Sequence, residues 1–190
     1  MVMSRSYPQF SQEEYLEIEE MSTVKHEYIR GQIYAMAGAS KAHVIIAGNL
    51  VTLLNNHLRG SGCIVYSADM KVKIDVADVF YYPDVTVTCN EEDRKSSENF
   101  IRYPCLIVEI LSTKTEAFDR GDKFSDYQKL ESLEEYILID QKKMRIESFR
   151  RNSKGMWTPT VYEENTKAYF TSLDFDCPTT AIYENVELLT

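Results

Sequence analysis

No apolar run in the 190 residues approaches the roughly 20 that a helix needs to span a bilayer, and the N-terminus lacks a basic stretch leading into an apolar core. Neither a membrane span nor a secretory leader is expected, and the cytoplasm is the expected compartment. Cysteine is scarce: Cys63, Cys89, Cys105 and Cys177 form no C-x-x-C pair, and most lie within or beside apolar, strand-like runs. That placement predicts reduced, mostly buried thiols. Histidine occurs only as His26, His43 and His57, without zinc-ligand spacing. Basic residues are outnumbered, 21 Lys and Arg against 30 Asp and Glu, for a formal charge of −9. A protein that grips nucleic acid broadly by counterion release needs the opposite balance. A nuclease remains compatible with this charge, because a metal site is built from carboxylates and a local basic patch can hold the phosphate backbone.

What the chain does contain is the composition of a globular domain, 44% hydrophobic and 27% charged. No long linker, repeat or low-complexity segment divides it, so residues 1–190 are read as one domain large enough to bury a core. Ser11 followed by Glu14 has capping-box spacing and predicts a helix over about 11–21, with Tyr15, Ile18 and Met21 on its apolar side. A strand is predicted over 27–36, with Arg30-Gly31-Gln32 as a hairpin turn or bulge. Ser40 caps a predicted helix over 41–58, whose apolar stripe reads Val44, Ala47 or Gly48, Val51, Leu54 and Leu58, widened by Leu50. Residues 63–75 alternate as strands with one wet face, and residues 90–102 read as a surface loop or short helix.

The next stretches carry the chemistry. The run Leu106-Ile107-Val108-Glu109-Ile110-Leu111 is apolar on both faces except at Glu109, the pattern of a central strand covered on both sides. A lone carboxylate there costs several kcal/mol unless it is neutral, paired with a cation or bound to a metal ion. Asp84 follows Pro83 at the entry to a short strand over 85–88. Such an aspartate is either turn chemistry or a second ligand sharing a hard cation with Glu109. A helix predicted over about 120–133 leads to a second apolar run, Tyr136-Ile137-Leu138-Ile139, completing a right-handed βαβ unit with parallel strands. In that unit the helix starts near the carboxyl end of the Glu109 strand. Lys123, Tyr127 and Leu130 share one helical face, so Lys123 points inward, as a salt-bridge partner of Glu109 or as a catalytic cation. His43, in the first turn of its helix, reads as a capping or a catalytic residue. Further strands are predicted over 144–150, 157–162 and 169–175. Lys142, Lys143, Arg145, Arg150, Arg151 and Lys154 form a basic cluster that is either a solvated sheet edge or a phosphate-binding patch.

These pieces, in this order, resemble the PD-(D/E)xK nuclease superfamily and, within it, the Uma-two group of restriction-endonuclease-like proteins. The resemblance rests on Pro83-Asp84, on Pro104 through Glu109 to Ser112, on Asp119 through Lys123 to Tyr127, and on Glu135-Tyr136-Ile137-Leu138-Ile139-Asp140. His26 through Met36, followed by His43, also matches. It implies a mixed α/β fold, a restriction-endonuclease-like core in which a central mixed β-sheet is flanked by helices. It implies Asp84 and Glu109 as metal ligands, Glu27 as an auxiliary acid, and a catalytic lysine moved from the position of Leu111 to Lys123. Where relatives read Leu-Ser-Pro-Ser-Thr, this chain has Leu111-Ser112-Thr113-Lys114-Thr115, so Lys114 rivals Lys123.

The expected activity is metal-assisted hydrolysis of a phosphodiester of nucleic acid, DNA first, with Mg²⁺ or Mn²⁺ as the oxygen-seeking cofactor. The expected assembly is a homodimer, and no membrane partner is expected. The alternative is a catalytically silent binding or assembly module with the same fold. No residue is singled out for nucleic-acid binding.

Overall fold

The computed structural model of the protein describes residues 9–188. In chain order the elements are α1 (Gln12–Met21), β1 (His26–Ile29), β2 (Gln32–Ala35), α2 (Lys41–His57), β3 (Ile64–Ser67), β4 (Lys71–Ile74), β5 (Val79–Tyr81) and β6 (Val85–Thr88). They continue as α3 (Glu91–Lys95), β7 (Phe100–Ile101), β8 (Leu106–Leu111), α4 (Glu116–Arg120), α5 (Asp122–Tyr127) and β9 (Glu135–Asp140). The C-terminal part adds β10 (Arg145–Arg151), β11 (Trp157–Glu163), β12 (Lys167–Phe170), β13 (Phe175–Pro178) and α6 (Thr179–Ile182).

The expected mixed α/β class is the one observed. A six-stranded sheet runs β11-β10-β9-β8-β6-β3, with β8 and β9 parallel and its other pairs antiparallel. A five-stranded sheet, β2-β1-β5-β4-β7, brings the N-terminal hairpin into play, and β12 with β13 makes a separate ribbon. All six residues of β8 are buried, as an apolar run covered on both faces requires. Leu106, Val108 and Ile110 pack in a core with Ile46, Leu50 and Leu54 of α2. Ile107 and Leu111 pack in a second core with Val72, Tyr81, Tyr127, Leu130 and Leu138. Strand alternation puts Glu109 on the side of this second core.

Local chemistry explains the element boundaries. The α1 capping box is closed: Glu14 N–H donates to Ser11 Oγ at 3.2 Å and Ser11 N–H to Glu14 Oε2 at 2.7 Å. The β1–β2 connection is a two-residue turn with Arg30 at φ 49° and Gly31 at φ 86°, the pair of positive values that matches the twist of a hairpin.

Several expectations need correction. Met21 is 81% exposed, so α1 buries Tyr15 and leaves its last turn wet. The buried stripe of α2 is Ile46, Leu50, Leu54 and then Leu58, whereas Val44 is exposed, because the helix presents the i, i+4 row through Leu50 to the sheet. In place of the helix expected over 120–133 the chain forms two short helices, α4 ending at Arg120 and α5 ending at Tyr127, broken at Gly121. That residue leaves the helical region, and a Cβ on it would lie 3.0 Å from the Ala117 carbonyl oxygen. Residues 169–175 hold no single strand but the end of β12, a 3₁₀ turn and the start of β13. The thiols are not all reduced: Cys63 and Cys89 are joined as a disulfide. The register that pairs Ile64 with Thr88 carries Cys63 opposite Cys89, with Cα atoms 4.0 Å apart. Cys177 is buried and free, as expected. No helix among the described residues is long and apolar enough to cross a membrane.

Candidate active site

Glu109 reaches the interior from the middle of β8, only 4% exposed. Two donors meet on its Oε1: the Lys123 ammonium at 2.9 Å and the Tyr127 hydroxyl at 3.0 Å. Both come from α5, one turn apart, as their spacing predicts. Lys123 Nζ is also 3.0 Å from Glu27 Oε1 and 3.9 Å from Asp119 Oδ1, and it lies 5.3 Å from the centre of the Tyr81 ring. Glu27 arrives from β1, and its Oε1 accepts the Tyr82 N–H at 3.2 Å. One ammonium therefore ties the five-stranded sheet to the six-stranded one.

Asp84 stands at the head of β6. The antiparallel register that pairs Val85 with Val108 continues to Asp84 opposite Glu109, which brings the two carboxylates together. Asp84 Oδ2 accepts the Ile110 N–H at 2.7 Å, and Oδ1 lies 2.8 Å from His43 Nε2. The backbone N–H of His43 meanwhile donates to Ser40 Oγ at 3.1 Å. His43 is thus both part of a helix cap and the partner of a carboxylate. Ser40 Oγ hydrogen-bonds Gln141 Oε1, and Gln141 Nε2 donates to the Leu111 carbonyl at 2.6 Å, so the start of α2 is pinned across the ends of β8 and β9.

The electrostatics follow from burial and crowding. Burial pushes the Glu109 carboxyl well above its usual range; Lys123 opposes this, while Asp119 and Asp84 reinforce it. Burial likewise raises Asp119, which is only 3% exposed. Burial alone would lower Lys123, but Glu109, Glu27 and Asp119 together hold its ammonium well above the usual lysine value. Three carboxylates, Glu27, Glu109 and Asp119, thus surround Lys123, and Asp84 stands opposite Glu109 with His43 as its partner. Such an excess is compensated by bound protons or by a further cation.

The donor chemistry fits a hard divalent ion. Among the described residues no three of His, Cys, Asp and Glu stand together as a ready-made metal cage. Asp84 and Glu109 would therefore be the protein's share of the coordination. Mg²⁺ typically takes one or two carboxylates and completes its shell with water and substrate phosphate.

The structure brings Glu27, His43, Asp84, Glu109 and Lys123 into one neighbourhood and leaves Lys114 out of it. Lys114 is exposed in the turn after β8 and makes no ion pair among the described residues. Asp119 joins the neighbourhood although the sequence assigns it no site role; its i, i+4 spacing to Lys123 is the signal that points to it. Of the basic cluster, Lys142, Lys143, Arg150 and Lys154 are exposed, whereas Arg145 and Arg151 are engaged, and their strand β10 is internal, β11 being the edge on that side. Arg145 engages Glu147 and Glu163; Arg151 lies over the Trp157 ring at 4.7 Å and donates to the Gln128 carbonyl.

Residues 12–175 match the model of a family, Uma2, described as "Putative restriction endonuclease". Two proteins of Synechocystis sp. are similar over most of the chain. One, named "Uncharacterized protein slr1290", is 41% identical across 96% of this chain and 96% of its own length. The other, "Uncharacterized protein sll1609", is 35% identical across 83% of this chain and 90% of its own length. Among solved structures, a crystal structure from Anabaena variabilis described as "a putative nuclease belonging to DUF820" superposes with a TM-score of 0.76 at 16% identity. It covers 92% of this chain and 97% of that one, so the two share the restriction-endonuclease-like fold.

Proposed function

The chain belongs to the Uma2 family, and we propose that it hydrolyses phosphodiester bonds of nucleic acid, DNA being its substrate, at a site where Asp84 and Glu109 hold Mg²⁺ or Mn²⁺. The observation that carries this reading is the excess of buried carboxylate around Lys123, a charge imbalance that a divalent cation removes. When bound, such an ion supplies polarisation of the phosphate and acidification of an attacking water.

The remaining work falls to the chain itself. Ile110 N–H and His43 fix the orientation of Asp84, and Tyr127 fixes that of Glu109. Lys123, held beside Glu109 and Glu27, would stabilise the negative charge that grows on the phosphorus oxygens. Preorganised charge of this kind contributes about 2 to 4 kcal/mol to a barrier. Two copies acting together would cut both strands of a duplex, and a homodimer is part of the proposal.

A second reading has its own support: Lys123 already pairs with both Glu109 and Glu27, as in a silent fold whose polar network is only structural. Calorimetric titration of Mn²⁺ into the wild type and Glu109→Ala, both checked for folding by circular dichroism, separates the two. Saturable binding that disappears in the variant, with cleavage of an oligonucleotide that Lys123→Ala loses, supports the nuclease. Folded protein that neither binds Mn²⁺ nor cleaves single- or double-stranded substrate favours the silent module.

A further inference from the structure

At the end of the six-stranded sheet away from Asp84 and Glu109, three cysteines meet. Cys63 precedes β3 and Cys89 follows β6, and the two are joined across the strands. Cys105 precedes β8, on the other side of β6, and its Sγ lies 3.8 Å from Cys89 Sγ. A free thiol thus touches one sulfur of a disulfide, and Cys89 itself is exposed.

From this contact we infer that Cys63, Cys89 and Cys105 form a thiol–disulfide exchange site. Cys105 loses its proton to solvent, its thiolate attacks Cys89 Sγ, the Cys63–Cys89 bond breaks, and Cys63 leaves as a thiolate that takes up a proton from water. A Cys89–Cys105 disulfide replaces the first, and the number of electrons in the protein is unchanged, so no oxidant or reductant is consumed.

Two features around the sulfurs bear on the rate. The Arg94 guanidinium donates to the Gly62 carbonyl at 2.7 Å, which brings a cation to the residue next to Cys63, the leaving group. Burial raises the Cys105 thiol to about 11, and it donates to the Val87 carbonyl at 3.3 Å. Exchange is therefore slow near neutrality and accelerates with pH, by roughly tenfold per unit while the thiolate is a minor species. Its consequence is mechanical. The covalent link moves from the β3–β6 pair to the β6–β8 pair, whose other ends carry Asp84 and Glu109. This inference does not depend on the nuclease reading.

The test is disulfide mapping by mass spectrometry of the full chain, oxidised with diamide, held at about pH 7 and about pH 9, then acid-quenched and alkylated. The wild type is expected to yield the Cys89–Cys105 peptide alongside Cys63–Cys89, appearing on the order of 100-fold faster at the higher pH. Cys105→Ser should retain Cys63–Cys89 alone, and Cys63→Ser should form Cys89–Cys105 on oxidation. A folded wild type that holds only Cys63–Cys89 at the higher pH, or that forms no bond among these three residues, overturns the inference.

Discussion

Arg120 and Lys123 stand three residues apart on either side of Gly121, yet each meets its acids in a different way. Arg120 lies in a half-exposed network: Nη1 and Nη2 each sit 2.9 Å from an oxygen of Glu147, and Nε sits 2.9 Å from Glu116. Arg145 shares Glu147 at 3.0 Å, so two guanidiniums serve that carboxylate. Lys123 is 6% exposed and alone serves Glu27, Glu109 and Asp119. Glu147, the least exposed carboxylate of the first network, is saturated in charge and in hydrogen bonds, as a structural ion pair should be, and the other two acids there, Glu116 and Glu163, face solvent. The second is satisfied in hydrogen bonds and unbalanced in charge. The difference teaches that the mark of a chemical site here is the surplus of buried acid, since ion pairs occur in both regions.

The largest effect expected from breaking this contrast is at Lys123. Lys123→Met removes the partner of three buried or nearly buried carboxylates, and loss of one side of a buried ionic cluster costs about 3 to 5 kcal/mol. Urea unfolding near neutral pH should show that loss, and Mn²⁺ should restore part of it by taking over the charge. A loss below about 1 kcal/mol would mean that the cluster is already neutral without its lysine.

Glu147→Gln probes the other side. Its partner Arg120 is about one-third exposed, so solvent screening reduces the value of the bidentate pair, and a cost of about 1 kcal/mol is expected. Mn²⁺ affinity should stay within about twofold of the wild type. A large drop in that affinity would show that the two networks act as one, and the comparison would fail.

How much of this could be read from the residues alone depends on whether a feature is local. Glu109 is conspicuous because it is the one charge in a six-residue apolar run, and Lys123 with Tyr127 follows from helical spacing. The closed capping box at Ser11 and the parallel pairing of β8 with β9 are equally local or follow from chirality rules. The Cys63–Cys89 bond was not legible, because it depends on the register between strands separated by about 20 residues of intervening chain. Asp119 lies in the matched segment but gains no role from spacing, because the helix predicted there begins beyond it, while the chain forms α4, breaks at Gly121, and starts again. On α2 the expected stripe holds at Leu50, Leu54 and Leu58, with Ala47 and Val51 packed against the same core, and differs in that Ile46 is buried while Val44 is exposed. Ile45, Ile46, Ala47 and Val51 leave two overlapping stripes available, and only the sheet beneath decides between them.

The smallest effect, and the sharpest test of the contrast, is how each deficit changes with pH. The two Arg120 contacts hold the Glu147 carboxyl below its usual range, against the opposing pull of burial and with help from Arg145. A depressed folded value gives stability that is present above the unfolded value of about 4.3 and is lost as pH falls through the folded one. The Glu147→Gln deficit should therefore stay level from about pH 7 to pH 5 and close only in stronger acid. Glu109 has the opposite sign, since burial raises its folded value. The folded state then has its advantage below about pH 4.3 and loses it as pH rises through the folded value. With the opposing ammonium removed in Lys123→Met, that deficit should be widest near pH 8 and should narrow steadily toward pH 5. Urea midpoints for the two variants and the wild type, taken across that range, should diverge in slope. Parallel slopes would place both sets of carboxylates in similar solvent and remove the physical basis for treating the Lys123 cluster as a site apart.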